Sequence, residues 1–300
     1  MWITKFRRVG AAFLVCSIFL AHALLYAQER QKVSSKSFLW KVQSKKNAVY
    51  ILGSVHFLKK EHYPLPKAIE DAFADAKRLV LEIDIEGLGL EITQRMMLKA
   101  IYDNGKTLQE SISKEAFTLA GKRAKELGLD IYMLNQFEPW YVALTLATLK
   151  LQNLGFNPNY GVDKYFSMKA KETGKEIASL ETLEYQIDLF DRMSPATQEL
   201  LLLQTLRDLD VMEKEFNRII GAWAGGDAKT LEALLLKSFR EFPEIHQKLV
   251  SERNRNWLHK IENFLAHNEN FIVVVGAGHL VGKDGVIELL KEKGYLVEQL

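Results

Sequence analysis

The chain has 300 residues, 48% of them hydrophobic, with 40 Lys and Arg against 38 Asp and Glu. That length and apolar content are enough for a large core without cross-links, and the near balance of charge excludes a broad electrostatic footprint for nucleic acid. The one cysteine, Cys16, sits in the N-terminal apolar run, so beyond that run there is no disulfide, thiol nucleophile or cysteine metal ligand.

Lys5, Arg7 and Arg8 precede an almost wholly apolar stretch, Val9 to Leu25, which closes on Tyr26-Ala27 before the polar Gln28-Glu29-Arg30. A basic start, an apolar centre and a small residue at an abrupt polar switch predict a signal peptide over residues 1–27, cleaved near Ala27. The alternative is an uncleaved leader that tethers the protein to a membrane, since about 17 apolar residues reach the lower limit for a span. Cys16 follows Leu14-Val15 and precedes further apolar residues, a poor fit to a lipoprotein. Without the three basic leader residues, 37 basic groups face 38 acidic ones. Export without disulfides points to a bacterial envelope, in the periplasm or at the cell surface.

Phe38 to Val42 and Ala48 to Gly53 are short apolar runs split by Gln43-Ser44-Lys45-Lys46-Asn47, which predicts a β-hairpin. Leu65 to Ala76 has helical spacing, and Arg78 to Ile85 is a near-continuous apolar strand interrupted by Glu82 and Asp84. Strand, helix, strand is the unit that makes a parallel pair. From Leu88 to Leu154 the pattern is mainly helical, and Glu138 to Leu154 is apolar enough to be an interior helix. A helix over Val162 to Glu172 and a strand over Glu176 to Leu180 follow. Ser194-Pro195 supplies a cap and a first-turn proline for a long helix to about Trp223, ended by Gly225-Gly226 with Asp227 as the next cap. Helices over Ala228 to Phe239 and Phe242 to Leu265 lead to Phe271-Ile272-Val273-Val274-Val275, the clearest buried strand. A helix over Gly282 to Lys293 and a strand over Leu296 to Gln299 end the chain. No repeat or linker divides it. The expectation is one α/β domain over residues 28–300, with a central mixed, largely parallel sheet flanked by helices and a large helical insert.

Two histidines share a setting: His56 follows a strand and Gly53-Ser54, and His279 follows the strongest strand and Gly276-Ala277-Gly278. If those strands are parallel neighbours, both turns open at the carboxyl edge of the sheet, where open α/β sheets bind ligands. Strand alternation sets Val80, Glu82 and Asp84 on one side, and a carboxylate in an apolar strand needs a cation, a metal or strong donors. His56, Glu82 and His279 are a sufficient ligand set for a catalytic metal with one position left for water. The same three groups can also work without metal, one imidazole as general base and the carboxylate orienting it. Arg253 reads either as part of a charged helix start, in Ser251-Glu252-Arg253-Asn254-Arg255, or as a buried cation beside an oxyanion. His62, His246, His259 and His267 read as surface residues.

Other chemistries fail on spacing. A third dinucleotide-binding glycine belongs at residue 281, which is Val281. No Gly-x-Ser-x-Gly elbow and no His-Glu-x-x-His helix occurs.

Tyr50-Ile51-Leu52-Gly53-Ser54-Val55-His56, Tyr63-Pro64-Leu65-Pro66, Leu81-Glu82-Ile83-Asp84, Tyr160-Gly161-Val162-Asp163, Leu180-Glu181-Thr182, Glu252-Arg253-Asn254 and Gly276-Ala277-Gly278-His279-Leu280-Val281-Gly282 with Gly285-Val286 together resemble the TraB/GumN family, motif by motif and in order. The resemblance covers about Phe38 to Leu300. It implies a fold related to erythromycin esterases and ChaN-type haem-binding lipoproteins, and kinship with the TIKI proteases, which are metal-dependent. It further implies that the two Gly-x-x-His motifs set His56 and His279 at the active centre, with Glu82 as the acidic member and Arg253 as the basic one. Asp163 and Glu181 match further motif positions without an assigned role. The expected function is an exported hydrolase of peptide or protein substrates that uses a divalent metal, Mn²⁺, Co²⁺ or Zn²⁺, held by His56, Glu82 and His279. The alternative is a non-catalytic envelope protein that binds a peptide or a haem-like ligand in the same cleft.

Overall fold

The structure, a computed structural model, describes residues 36–300 apart from 85–89 and 240–241; the expected leader and Ile85 lie outside the described residues. Six strands form one sheet: β1 (Leu39–Gln43), β2 (Ala48–Ser54), β3 (Arg78–Leu81), β4 (Glu176–Ser179), β5 (Phe271–Gly276) and β6 (Leu296–Gln299). Their order is β4-β3-β5-β2-β1-β6. β4, β3, β5 and β2 are mutually parallel, and β1 runs against both β2 and β6. This is the mixed, largely parallel α/β sheet that the patterning predicts.

Every residue of β2, and Phe271 to Val275 of β5, is buried, the mark of central strands covered on both faces. The covering helices are α1 (Lys67–Asp75) and α5 (Val162–Thr173), then α8 (Met212–Ala224) and α9 (Ala228–Phe239), then α10 (Glu252–Leu265) and α11 (Val286–Glu292). A second apolar cluster is formed by the helical insert: α2 (Leu90–Lys99), α3 (Lys114–Glu126), α4 (Pro139–Asn153), α6 (Leu183–Asp191) and α7 (Pro195–Asp208). Trp140 of α4 is fully buried there, as its apolar sequence predicts, while Trp257 of α10 is fully buried in the sheet cluster.

Three elements differ from expectation. The strand through Glu82 stops at Leu81, so Glu82 lies just past the sheet edge rather than within a strand; all of Leu79, Val80 and Leu81 are buried, and the expected alternation has no exposed face to express it. The helix over 194–223 is two helices, broken between Asp208 and Met212. At the break the buried Arg123 donates from Nε to Leu206 O at 3.1 Å and from Nη1 to Asp210 Oδ1 at 2.9 Å, so an end carbonyl of α7 is satisfied by a side chain and the chain is turned there. The stretch 242–265 contains a π-helical turn, Gln247–Ser251, ahead of α10. Such wide turns cluster at functional sites, and this one immediately precedes Arg253.

Candidate active site

The parallel register pairs Ser54 with Gly276, so the segments that leave β2 and β5 start side by side at the carboxyl edge of the sheet. β3, on the other side of β5, ends level with Val274 and delivers Glu82 to the same edge. A Cβ placed on Gly276 would lie 3.4 Å from Glu82 Oε1, 3.5 Å from His279 Cδ2 and 3.8 Å from His56 Nε2. The structure thus gathers His56, Glu82 and His279 around one glycine, each at ordinary contact distance from the position of its missing side chain.

His56 is held by Asp163. Its Nδ1 lies 3.0 Å from Asp163 Oδ2, which makes Nδ1–H the donor to the carboxylate and leaves Nε2 for other partners. The chain closes here because Gly161 has no side chain: a Cβ would sit 2.6 Å from His56 O. Val162 N donates to Val55 O at 3.1 Å, pinning the start of α5 to the loop after β2. The His56 side chain is 57% exposed and that of Asp163 only 11%, so the ring reaches solvent from a buried carboxylate. Attraction to Asp163 raises the imidazole from 6.5 to about 9 against the opposing effect of burial, with Glu82 adding and Arg253 subtracting. Water at the exposed ring screens part of that attraction; its direction is upward.

Glu82 accepts from Gly276 N–H at 2.7 Å on Oε1, and from Arg253 Nη2 at 2.5 Å and Gln186 Nε2 at 3.2 Å on Oε2. Burial would raise its carboxyl, but His279 once acid has protonated it, the charges of Arg253 and His56, and the Gly276 N–H outweigh that and hold the group near 2. Arg253 is buried and forks between two carboxylates. Nε meets Glu181 Oε1 at 3.0 Å, Nη2 meets Glu181 Oε2 at 2.8 Å as well as Glu82, and Nη1 donates to Leu249 O at 3.2 Å and to His279 Nε2 at 3.1 Å. All five N–H groups of a guanidinium therefore have protein partners. This corrects the expectation that Arg253 faces an oxyanion: it organises the acidic residues and has no N–H left for substrate. The Trp257 ring lies 4.8 Å from its guanidinium carbon and donates Nε1–H to Glu181 Oε1 at 2.8 Å.

His279 is buried and its tautomer is determined by its neighbours. Asn254 Nδ2 donates to His279 O at 3.2 Å and to Asp284 O at 2.7 Å, which turns Asn254 Oδ1 towards His279 Nδ1 at 2.7 Å. Nδ1 thus carries the proton and Nε2 accepts from Arg253. Burial drives this imidazole down to about 3, Glu82 opposing and Arg253 reinforcing, so the ring is neutral at ordinary pH. The unfolded chain takes up this proton below about 6.5 and the folded chain not until about 3, so folding stability is lost as the pH drops through that window. His279→Gln is expected to flatten the pH dependence of the urea midpoint between pH 7 and pH 4; equal slopes in variant and parent overturn this account.

The donor set has suitable chemistry for a divalent cation, but it is not arranged as one. Among the described residues no group of three or more His, Cys, Asp or Glu is placed to hold a metal ion. Arg253 takes Nε2 of His279 and Oε2 of Glu82, and Glu82 Oε1 accepts from Gly276 N–H, so the residues do not fit the expected metal as they stand.

Ser54 Oγ is buried without a hydrogen-bond partner, so no base activates it. His62 is half-buried rather than exposed, its Nδ1 against the backbone of Lys59. His246 is also half-buried and comes within 3.4 Å of Ser251 Oγ, whereas His259 and His267 are exposed. Gln186 and Trp257 went unread in the sequence. Trp257 had a signal, since it stands four residues after Arg253 on the same helix face; Gln186 had none.

The model of the TraB/PrgY/gumN family matches residues 38–299. The chain belongs to this family. Within it, the chain is 23% identical over 242 residues to the Uncharacterized protein YbaP of Escherichia coli (strain K12), covering 81% of this chain and 87% of YbaP. It is 26% identical over 195 residues to a Metalloprotease TIKI homolog of Amphimedon queenslandica, covering 55% of this chain and 38% of that protein. Metalloprotease TIKI2 of Danio rerio is 21% identical over 320 residues, covering 87% of this chain and 60% of that protein. The chain thus spans less than two thirds of these two metalloproteases. No solved structure matches. All the residues around Gly276 lie inside the family span, and no helix of the described residues is long and apolar enough to cross a membrane.

Proposed function

We propose that the protein is an exported hydrolase of peptide or protein substrates, with His56 as the group that moves the proton. The observation that carries this reading is the Asp163–His56 pair, with His56 Nε2 gathered beside Glu82 and His279 around Gly276. In its neutral form His56 takes a proton from water at Nε2, the water attacks the carbonyl, and the same nitrogen returns the proton to the leaving nitrogen. Asp163 orients the ring and stabilises its charged form. Glu82 stays ionised and favours positive charge on His56, while Arg253 and Glu181 hold Glu82 in place. Peptide as the substrate class rests on the relatives named metalloproteases, and export rests on the pattern of residues 1–27.

A second reading has those same names behind it, together with the gathering of the three side chains around Gly276: a divalent ion at His56, Glu82 and His279, which needs Arg253 to release two of them. Elemental analysis of protein purified without chelator, with cleavage of a peptide library measured before and after chelation, separates the two. We expect little bound metal and cleavage that survives chelation. Loss of cleavage restored by Mn²⁺, Co²⁺ or Zn²⁺ favours the metal reading, and stoichiometric ligand uptake without product makes the cleft a binding site.

A further inference from the structure

A cavity of about 400 Å³ adjoins His279 on the side of α9 and the π-helical turn. Leu235, Val250 and Val281 give it apolar walls, and Gly278 and His279 of the turn after β5 also line it. We infer that this cavity receives a large apolar side chain of the substrate, which makes the protein selective for peptides bearing such a residue beside the bond that is cut. The inference rests on the hydrolase reading above and names its substrate class.

Three observations carry it. The volume falls in the range of ligand pockets, roughly 300–1,000 Å³, and such pockets are lined mainly by apolar side chains. The ionisable lining carries no single sign of charge: Glu232 opposes Lys283, His246 stands with them and lies 3.4 Å from Ser251 Oγ, and the Asp284 carboxylate is taken by Ser251 Oγ at 3.1 Å and Arg255 Nη2 at 3.4 Å. Selection here therefore works through shape and loss of water, not charge. Lastly, the cavity and the cluster around Gly276 share His279. The nitrogens of His279 turn to Asn254 and Arg253 and its Cδ2 to Gly276, and the same residue lines the cavity. Leu235 is the residue to vary, because a Cβ on Gly278, next to His279, would lie 3.1 Å from Leu235 Cδ1; a side chain at 235 therefore reaches the end of the cavity nearest the chemistry.

The test uses a set of peptides that differ at one residue beside the cleaved bond, Phe, Leu or Trp against Ala or Asp. The parent protein is expected to favour Phe and Leu in kcat/KM by about tenfold or more, the discrimination an apolar pocket ordinarily supports. Leu235→Trp, which fills the cavity, is expected to lower the Phe/Ala ratio by about tenfold. Leu235→Ala, which widens it, is expected to raise the Trp/Leu ratio and keeps the test open if the larger variant does not fold. Cleavage whose ratios are the same in all three proteins overturns the pocket and leaves the hydrolase standing. If no peptide is cut, binding of N-acetyl-phenylalaninamide against N-acetyl-alaninamide is followed by NMR: a Phe preference lost in Leu235→Trp supports the pocket while the hydrolase reading fails, and equal or absent binding overturns the pocket too.

Discussion

Replacing His56 with alanine is expected to lower kcat on a cleaved peptide by about 10²–10⁴-fold, the usual contribution of a positioned proton carrier. The side chain is more than half exposed, so its removal leaves no apolar void, but it strands the buried Asp163 carboxylate it pairs with, and some stability is lost with it. Asp163→Asn keeps the shape and removes the charge. In the parent, the Asp163 carboxylate raises the imidazole from 6.5 towards about 9, and the ring acts as a base only after losing that proton. Turnover should therefore climb with pH through the window between these values and level off above it. In Asp163→Asn the climb moves to lower pH and the plateau falls, because the ring is more easily neutral but less well held. A kcat/KM profile that is flat from pH 6 to pH 9, or that does not move in Asp163→Asn, removes His56 from this role.

The sheet was largely legible because its strands are short apolar runs with turn residues at both ends. β5 needed no tertiary information: five consecutive apolar residues closed by Gly276-Ala277-Gly278 fit a central strand ending at a binding edge. The meeting of His56 and His279 followed from making β2 and β5 parallel neighbours. What lay beyond reach was anything decided by contacts across the sequence. Arg253 meets Glu82 across 171 positions, and its inward aim depends on the π-helical turn Gln247–Ser251, which local composition does not mark. The break at Asp208 depends on Arg123, whose partner Asp210 looks like any acidic residue on a helix surface until the two meet. Glu82 was placed correctly in the chain but wrongly in a strand, because Ile83 and Ile85 extend the apolar pattern past the point where β3 stops pairing. The metal expectation drew on residue types and on the family resemblance, and the guanidinium that engages two of the three donors comes from a helix near the other end of the chain.

That guanidinium is also where the largest loss of stability is expected. Arg253→Met keeps most of the volume and removes the charge, leaving the buried carboxylates of Glu82 and Glu181, with side chains 14% and 5% exposed, without their shared cation. Deleting one partner of a buried ion pair costs about 3–5 kcal/mol, since the remaining charge is stranded in a poorly polar setting. Here one deletion strands two, and it also removes the donor to His279 Nε2. Urea denaturation should register a loss in that range or above it. The sign of the cause can be checked by adding Glu181→Gln to Arg253→Met: removing one stranded charge should recover part of the loss, whereas Glu181→Gln alone is destabilising because it unbalances an intact network. Arg253→Lys should fall between parent and Met, because a single ammonium supplies charge but cannot fork between Glu82 and Glu181. If Arg253→Met loses less than about 1 kcal/mol, the value of an exposed pair, then water rather than the guanidinium satisfies these carboxylates, and Glu82 is free to serve another cation after all.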